Sequence, residues 1–192
     1  PLYSRSMDAQ TSEGIQSVSL MVPKEPENLR SFIDLHERES GEKLELSDNG
    51  VILNEKLGKL LDAGVGDTII LVNPDGRPIE ATVEGIAENY ALNYVYMTPA
   101  FYENAFRAQP SYTTLLVEHA DDVDESGLTE QILNLSDSIL GVTNTSSVAG
   151  TFANMLGSLN SIVWVIIISA GLLAMVVLYN LANINMNERI RE

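Results

Sequence analysis

The pattern of apolar and polar positions changes character once along this chain. Through the first three quarters, apolar residues come in short runs broken by polar ones. After Asp137 no charged side chain appears until Glu188. Inside that uncharged stretch, Ile162 to Leu181 reads IVWVIIISAGLLAMVVLYNL, and its only polar groups are Ser169, Tyr179, Asn180 and the indole N–H of Trp164. About 20 residues at 1.5 Å rise match the roughly 30 Å of a bilayer's hydrocarbon core. A helix apolar on every face needs either lipid or much surrounding protein. A chain of 192 residues offers little of the latter, so the pattern predicts a transmembrane helix over 162–181.

Upstream, the periodicities predict short elements. Gly14 to Val22 alternates as a strand. Pro26 opens a helix whose stripe is Leu29, Phe32, Ile33 and His36. Gly41 to Gly50 is a polar loop. Val51 to Leu53 is a short strand, and Asn54 caps a helix with Leu57, Leu60 and Leu61 on its apolar face. Gly64 supplies the left-handed cap of that helix. Thr68 to Val72 and Pro78 to Ile86 form a hairpin about the turn Asn73-Pro74-Asp75-Gly76. Tyr94 to Met97 is a strand, Thr98-Pro99 opens a helix to about Arg107, and Tyr112 to Glu118 is a strand. Asp124 to Leu135 is a helix with Leu128, Ile132 and Leu135 on one face. Gly141 to Val148 is a polar strand or extended segment. Thr151 caps a last helix, whose stripe Phe152, Met155, Leu156, Leu159 and Val163 runs into the membrane span. The fold class is α+β: a small mixed domain of short strands and helices, followed by one long stalk and transmembrane helix.

Charge sharpens this picture. The formal net charge is −16, all of it before the span because the tail sums to zero. About 150 residues precede the span, enough for one domain with its own core. An anionic surface argues against nucleic acid and against docking on anionic lipid, and it favours solubility; it could also attract cationic peptides. The 20 residues before the span hold no Lys or Arg, whereas Arg189 and Arg191 follow it. Positive residues collect on the cytoplasmic side, so residues 1–150 are expected outside and the C-terminal end inside. There is no cysteine and hence no disulfide framework. The opening PLYSRSMDAQ, without Met or signal peptide, reads as the middle of a longer membrane protein, and the pattern stops in mid-helix at Arg191-Glu192.

Sites for chemistry are few. His36 and His119 are distant in sequence and no Cys joins them, so a zinc site is not expected. His36 reads as a boundary residue of its helix. Asp122, Asp124, Ser126 and Gly127 resemble the opening of a calcium loop, but the twelfth position is Leu133 rather than Glu. The same residues suit a helix start. Gly64-Val65-Gly66-Asp67 lacks the spacing and the Lys-Ser/Thr of a phosphate loop and reads as a turn. Asn134 and Asn144 begin N-x-S/T triplets, which matter only in a glycosylating host. No G-x-S-x-G elbow is present. No catalytic, cofactor or metal residue is assigned, and the chain is not expected to be an enzyme. In the span, Ser169, Ala170, Gly171 and Ala174 cluster small side chains, which allows a partner helix to approach closely. Asn180, Asn183 and Asn187 share a face at the cytoplasmic end, either as an interhelical network or as headgroup-level hydration.

Three segments taken together resemble one family. They are GVILNEKLGKLLDAGVGDTIIL (Gly50 to Leu71), ATVEGIAEN with YVYMTPAFYENAF (Ala81 to Phe106), and SAGLLAMVVLYNLANINMNERIRE (Ser169 to Glu192). This order is similar to the extracytoplasmic domain and following helix of FtsX-like permeases, the membrane subunits of MacB-type ABC transporters. In that family a strand, a short helix and a Gly-Asp turn precede an antiparallel hairpin, and the later helix ends in an Asn-rich stretch and an E-R-x-R-E segment. Here that segment is Glu188, Arg189, Arg191 and Glu192. The resemblance implies residues 1–149 as an extracytoplasmic domain of the MacB-like periplasmic core type, N-terminally incomplete. It implies 150–161 as a stalk helix, 162–181 as the transmembrane helix and 182–192 as the start of a cytoplasmic segment. It further implies a multi-pass cell-membrane protein and a separate cytoplasmic ATPase that binds the ATP. A second permease copy or half would complete the assembly, and lipid would be a partner. Mechanotransmission would replace a central pore. A helix from Thr151 to Arg191 would be roughly 60 Å long, with Phe152, Met155, Leu156 and Leu159 as its stalk face.

Two rivals stand beside this reading. An extracellular sensor domain linked by one helix to signalling machinery predicts a kinase or adaptor domain after Glu192. An anchored enzyme or adhesin requires a site assembled in space.

Overall fold

The computed structural model describes residues 1–90, 92–120, 123–144, 160 and 162–181. The chain divides into two compact units, Pro1–His119 and Ala120–Glu192. The mixture of strands and helices with one C-terminal apolar helix is the α+β class expected.

The first unit is built on a closed barrel. Its strands are β1 (Leu2–Thr11), β2 (Gly14–Pro23), β3 (Val51–Asn54), β4 (Thr68–Val72), β5 (Pro78–Ala87) and β6 (Tyr94–Tyr96). Around the barrel they run β1-β2-β6-β3-β5-β4, and β4 closes on β1 through Asp8–Gln10 and Ile70–Val72. The hairpins β1/β2 and β4/β5 and the pair β3/β6 are antiparallel, whereas β2/β6 and β3/β5 are parallel. Parallel neighbours need long crossovers, and these carry the helices α1 (Pro26–Leu29) and α2 (Glu55–Leu61). The helix α3 (Pro99–Phe106) follows β6.

Alternation sets the interior. On β4, Ile69 and Leu71 are fully buried, while Ile70 between them is partly exposed. On β5, Ala81 and Val83 point in, and Glu80, Thr82 and Glu84 point out. Leu20, Leu53, Leu57 and Val95 complete the middle of the core, each 0% exposed. At one side Tyr102 on α3 meets Tyr3 on β1 edge-to-face at 5.1 Å, and their buried hydroxyls lie 3.1 Å apart. Gly50 enters β3 where a Cβ would stand 2.3 Å from the Thr82 carbonyl oxygen, so the backbones meet only because the residue is glycine. A smaller cluster of Leu29, Leu35, Ile52, Ala87 and Tyr96 forms a second core.

Several local expectations are corrected. β1 forms where the periodicity predicts no element. α1 is only four residues long, so Phe32, Ile33 and His36 are not on a helix. After Leu29 the bonds tighten, with Ser31 N donating to Asn28 O and Phe32 N to Leu29 O. The chain then turns so that buried Leu35 can receive Leu44 N. Asn54 precedes α2 but makes no capping bond. Its side chain donates to Asn89 O and Leu92 O at 3.0 Å each and accepts from Tyr94 N at 2.9 Å. A buried loop end needs those partners more than a helix terminus open to water does. The left-handed cap of α2 is Asp62 (φ 48°), not Gly64; Asp tolerates that region. Leu60 is 44% exposed, and the buried face of α2 is Leu57, Gly58 and Leu61. Residues 112–118 form no strand and make one bridge, Thr114 to Leu2.

In the second unit α4 (Glu125–Leu135) lies where the pattern predicts a helix. Asp124 starts it, accepting from Gly127 N at 3.2 Å through its carboxylate. Leu128 and Ile132 are half-buried, but Leu135 is exposed. Residues 141–144 are irregular. The helix α5 runs Ile162–Leu181.

Candidate functional site

The α5 helix is the feature with the clearest physical demand. Its 20 residues have a mean hydropathy of 2.7, and none of its apolar window is buried. The core helix of a soluble protein would be covered. Every backbone group inside a helix is satisfied within the segment, which lipid requires. The one hydroxyl in its middle obeys the same rule, for Ser169 Oγ donates to Val165 O at 2.7 Å. Trp164 and Tyr179 stand near opposite ends, both exposed. They lie fifteen positions apart, or about 22 Å along the axis, a spacing that suits the aromatic belts of the two interfaces. In the sequence alone these two residues stand out only for their polar groups.

Ser169, Ala170, Gly171 and Ala174 are all exposed on α5. Ala170 and Ala174 share a face by helical spacing, and a Cβ built on Gly171 would meet nothing within 4 Å. Asn180 lies exposed in the last turn. The stalk-face residues Phe152, Met155, Leu156 and Leu159 lie outside the described residues. So do Asn183, Asn187, Glu188, Arg189, Arg191 and Glu192 of the coupling end.

On the barrel, polar side chains gather around Glu55 at the start of α2. Its carboxylate receives Arg38 at 3.0 Å and Lys59 one turn along the helix. The Lys59 ammonium lies 6.0 Å from the centre of the Tyr90 ring. The Lys59 hydrogen bond, helped by Tyr90 and Arg38 and opposed by desolvation, holds the Glu55 carboxyl down at about 2. Burial, reinforced by Glu55, pushes the Tyr90 hydroxyl up to about 12. Tyr90 also donates to Glu88 at 3.2 Å, and Glu88 contacts His36 at 3.2 Å. His36 therefore belongs to a charged cluster rather than to an apolar stripe.

Other sequence candidates resolve into structure. Gly64 N donates to the Asp67 carboxylate at 2.7 Å, and Gly66 takes φ 94°, which makes this segment a tight turn. Among the described residues no three His, Cys, Asp or Glu side chains are placed to share a metal ion. Two clefts open on the first unit. One of about 310 Å³ is bordered by Leu29, Arg30, Asp34, Leu35, Lys43, Leu44 and Thr98, among others. The second, about 300 Å³, is lined by Leu2, Pro23, Phe32 and Leu115–Val117 with a few polar neighbours.

No family model and no curated protein matches this chain. Among solved structures, it is similar to the extracellular domain of the noncanonic ABC-type transporter YknZ from Gram-positive bacteria. That likeness has a TM-score of 0.42 and 17% identity over 56% of this chain, and it spans 58% of the other domain's length. It is also similar to the periplasmic region of MacB from Actinobacillus actinomycetemcomitans, with a TM-score of 0.41, 17% identity, and 80% of this chain and 74% of the other covered.

Proposed function

We propose that this chain is the extracytoplasmic domain and following membrane helix of an ABC-transporter permease of the FtsX-like, MacB type. The observation that carries the reading is α5: twenty residues, apolar on every side and uncovered by the other described residues. A folded acidic unit joined to such a helix fits a membrane protein with a domain in water. The three segments quoted above, which end in Glu188, Arg189, Arg191 and Glu192, support the particular family.

In this reading residues 1–149 lie outside the membrane and the C-terminal end lies in the cytoplasm. A separate cytoplasmic ATPase binds and hydrolyses ATP, and this chain performs no reaction of its own. Motion passes along the helix, with Phe152, Met155, Leu156 and Leu159 packing on a neighbouring membrane helix. Ser169, Ala170, Gly171 and Ala174 receive a helix of the second permease copy or half. Asn180, Asn183 and Asn187 join the charged tail at the coupling end.

The test is purification of the intact protein from membranes in mild detergent. The reading expects an ABC ATPase to copurify and Leu156→Asp to uncouple ATP hydrolysis from movement of the outer domain. Recovery with a kinase or adaptor and no ATPase would overturn it.

A further inference from the structure

Around the closed barrel every strand has two neighbours, so no whole strand of the barrel is an edge. A segment beside the barrel is one. Leu2 N donates to Thr114 O at 2.8 Å, and Thr114 N donates to Leu2 O at 3.1 Å. This antiparallel exchange lays residues 112–117 along the start of β1. Their burial alternates as in an extended chain: Tyr112, Thr114 and Leu116 are half-buried, whereas Thr113, Leu115 and Val117 are exposed. Tyr112 packs on the main core and Leu116 on the second.

A residue that exchanges both bonds with its partner turns its N–H and C=O toward it, and its neighbours in sequence turn theirs the other way. Thr113, Leu115 and Val117 therefore present their backbone groups away from β1. Among the described residues those N–H and C=O groups find no partner. Natural sheet edges are guarded by charge, proline or a bulge. Residues 112–117 read YTTLLV, with no charge and no proline, and Leu115 and Val117 are 70% and 68% exposed. Leu115, Leu116 and Val117 also line the cleft of about 300 Å³, together with Leu2, Leu29 and Phe32.

A row of unpaired backbone groups calls for an extended chain, which apolar side chains alone would not require. Charge narrows the choice further. The chain carries a net −16, exposed Glu118 ends the segment, and Glu25 is the charged side chain among those lining the cleft. A second acidic copy would be repelled there, and a basic strand attracted. We propose that residues 113–117 are a strand-addition site: an extended basic segment of a partner protein, aliphatic at alternate positions, pairs with this edge and places side chains in the cleft. Backbone bonds hold the segment, and Leu115 and Val117 select its alternate side chains. The inference rests on the barrel unit alone and not on the transporter reading.

Fluorescence anisotropy on the full chain in detergent micelles tests this, with a labelled synthetic peptide that alternates valine and threonine between paired lysines at its ends. The peptide should bind with a Kd at or below about 1 mM, and binding should weaken by at least about tenfold when its interior amides are N-methylated. Leu115→Pro, which deletes one outward N–H at an exposed position, should weaken it by a similar factor. So should Leu115→Lys, which sets a cation against those of the peptide. Leu115→Val should bind as the unmodified chain does. Bound peptide should slow amide exchange at Leu115 and Val117 and leave the β4/β5 ladder unchanged. No saturable binding, equal binding of the methylated peptide, or unchanged binding by Leu115→Pro and Leu115→Lys would overturn the site. So would a dimer of the full chain that Leu115→Pro dissociates, which would give the edge to a second copy.

Discussion

The barrel and α5 are both made from aliphatic residues, and they dispose of them in opposite ways. In the barrel Leu20, Leu53, Leu71 and Val83 are each 0% exposed. In α5, Ile166 is 61% and Leu173 67% exposed. The barrel supplies its own apolar surroundings, and its polar needs are met by partners such as Asn54. The helix meets its polar needs internally, down to the Ser169 hydroxyl, but has no apolar surroundings among the described residues. Burial at roughly 25 cal/mol per Å² makes that exposure expensive in water and costless in lipid. The two regions therefore call for two different solvents.

The largest expected effect breaks the helix side of this contrast. In residues 1–192 produced on their own, Ile168→Arg with Leu172→Arg should cost about 5–7 kcal/mol of membrane insertion and move the chain out of the membrane pellet. The barrel's urea midpoint should be unchanged, because the two regions satisfy themselves separately. The mirror experiment is Leu53→Ala, which opens a cavity in the barrel core and should destabilise it by about 2–5 kcal/mol. Equilibrium unfolding would read that loss, and membrane retention should not change.

A smaller effect sharpens the barrel side. Thr98 caps α3, accepting from Phe101 N at 3.0 Å, while its hydroxyl donates to Asp48 at 2.5 Å. Thr98→Ala should cost about 1–2 kcal/mol, and Thr98→Ser should restore most of it. The smallest effect is acid-dependent. The Glu55 carboxyl is depressed from its ordinary 4.5 to about 2. Its contribution is therefore present above about pH 4.5 and is lost as pH falls toward about 2. Acid titration of barrel unfolding should show this slope, and Glu55→Gln should flatten it.

Local periodicity was enough for the elements that depend on neighbours in sequence. The strand Thr68–Val72, the strand expected over Pro78 to Ile86 and found over Pro78–Ala87, the Pro99 helix and the apolar run of α5 all appear where the pattern puts them, within a residue. It was not enough where a distant partner decides. β1 escapes the pattern because Arg5, on the same strand face as Tyr3 and Met7, is a charged residue that interrupts the apolar alternation. Barrel closure rests on the parallel pairs β2/β6 and β3/β5, which no local motif encodes. Asn54 carries the same cue as a capping residue, yet its bonds go to residues 35 to 40 positions away. The charged cluster joins His36 to Glu88 across 52 residues. The small-residue face of α5 could be read directly, because helical spacing alone creates it.

The absence of cysteine makes sidedness easy to probe with single introduced thiols. Ser6→Cys should react with an impermeant maleimide on intact cells, and Asn187→Cys only after permeabilisation. The most direct test of the central claim is extraction of residues 1–192, produced without further membrane segments, from cell membranes with alkaline carbonate and no detergent. A chain that uses α5 to cross the bilayer stays in the pellet. Its release into the aqueous fraction, still folded, would contradict the account.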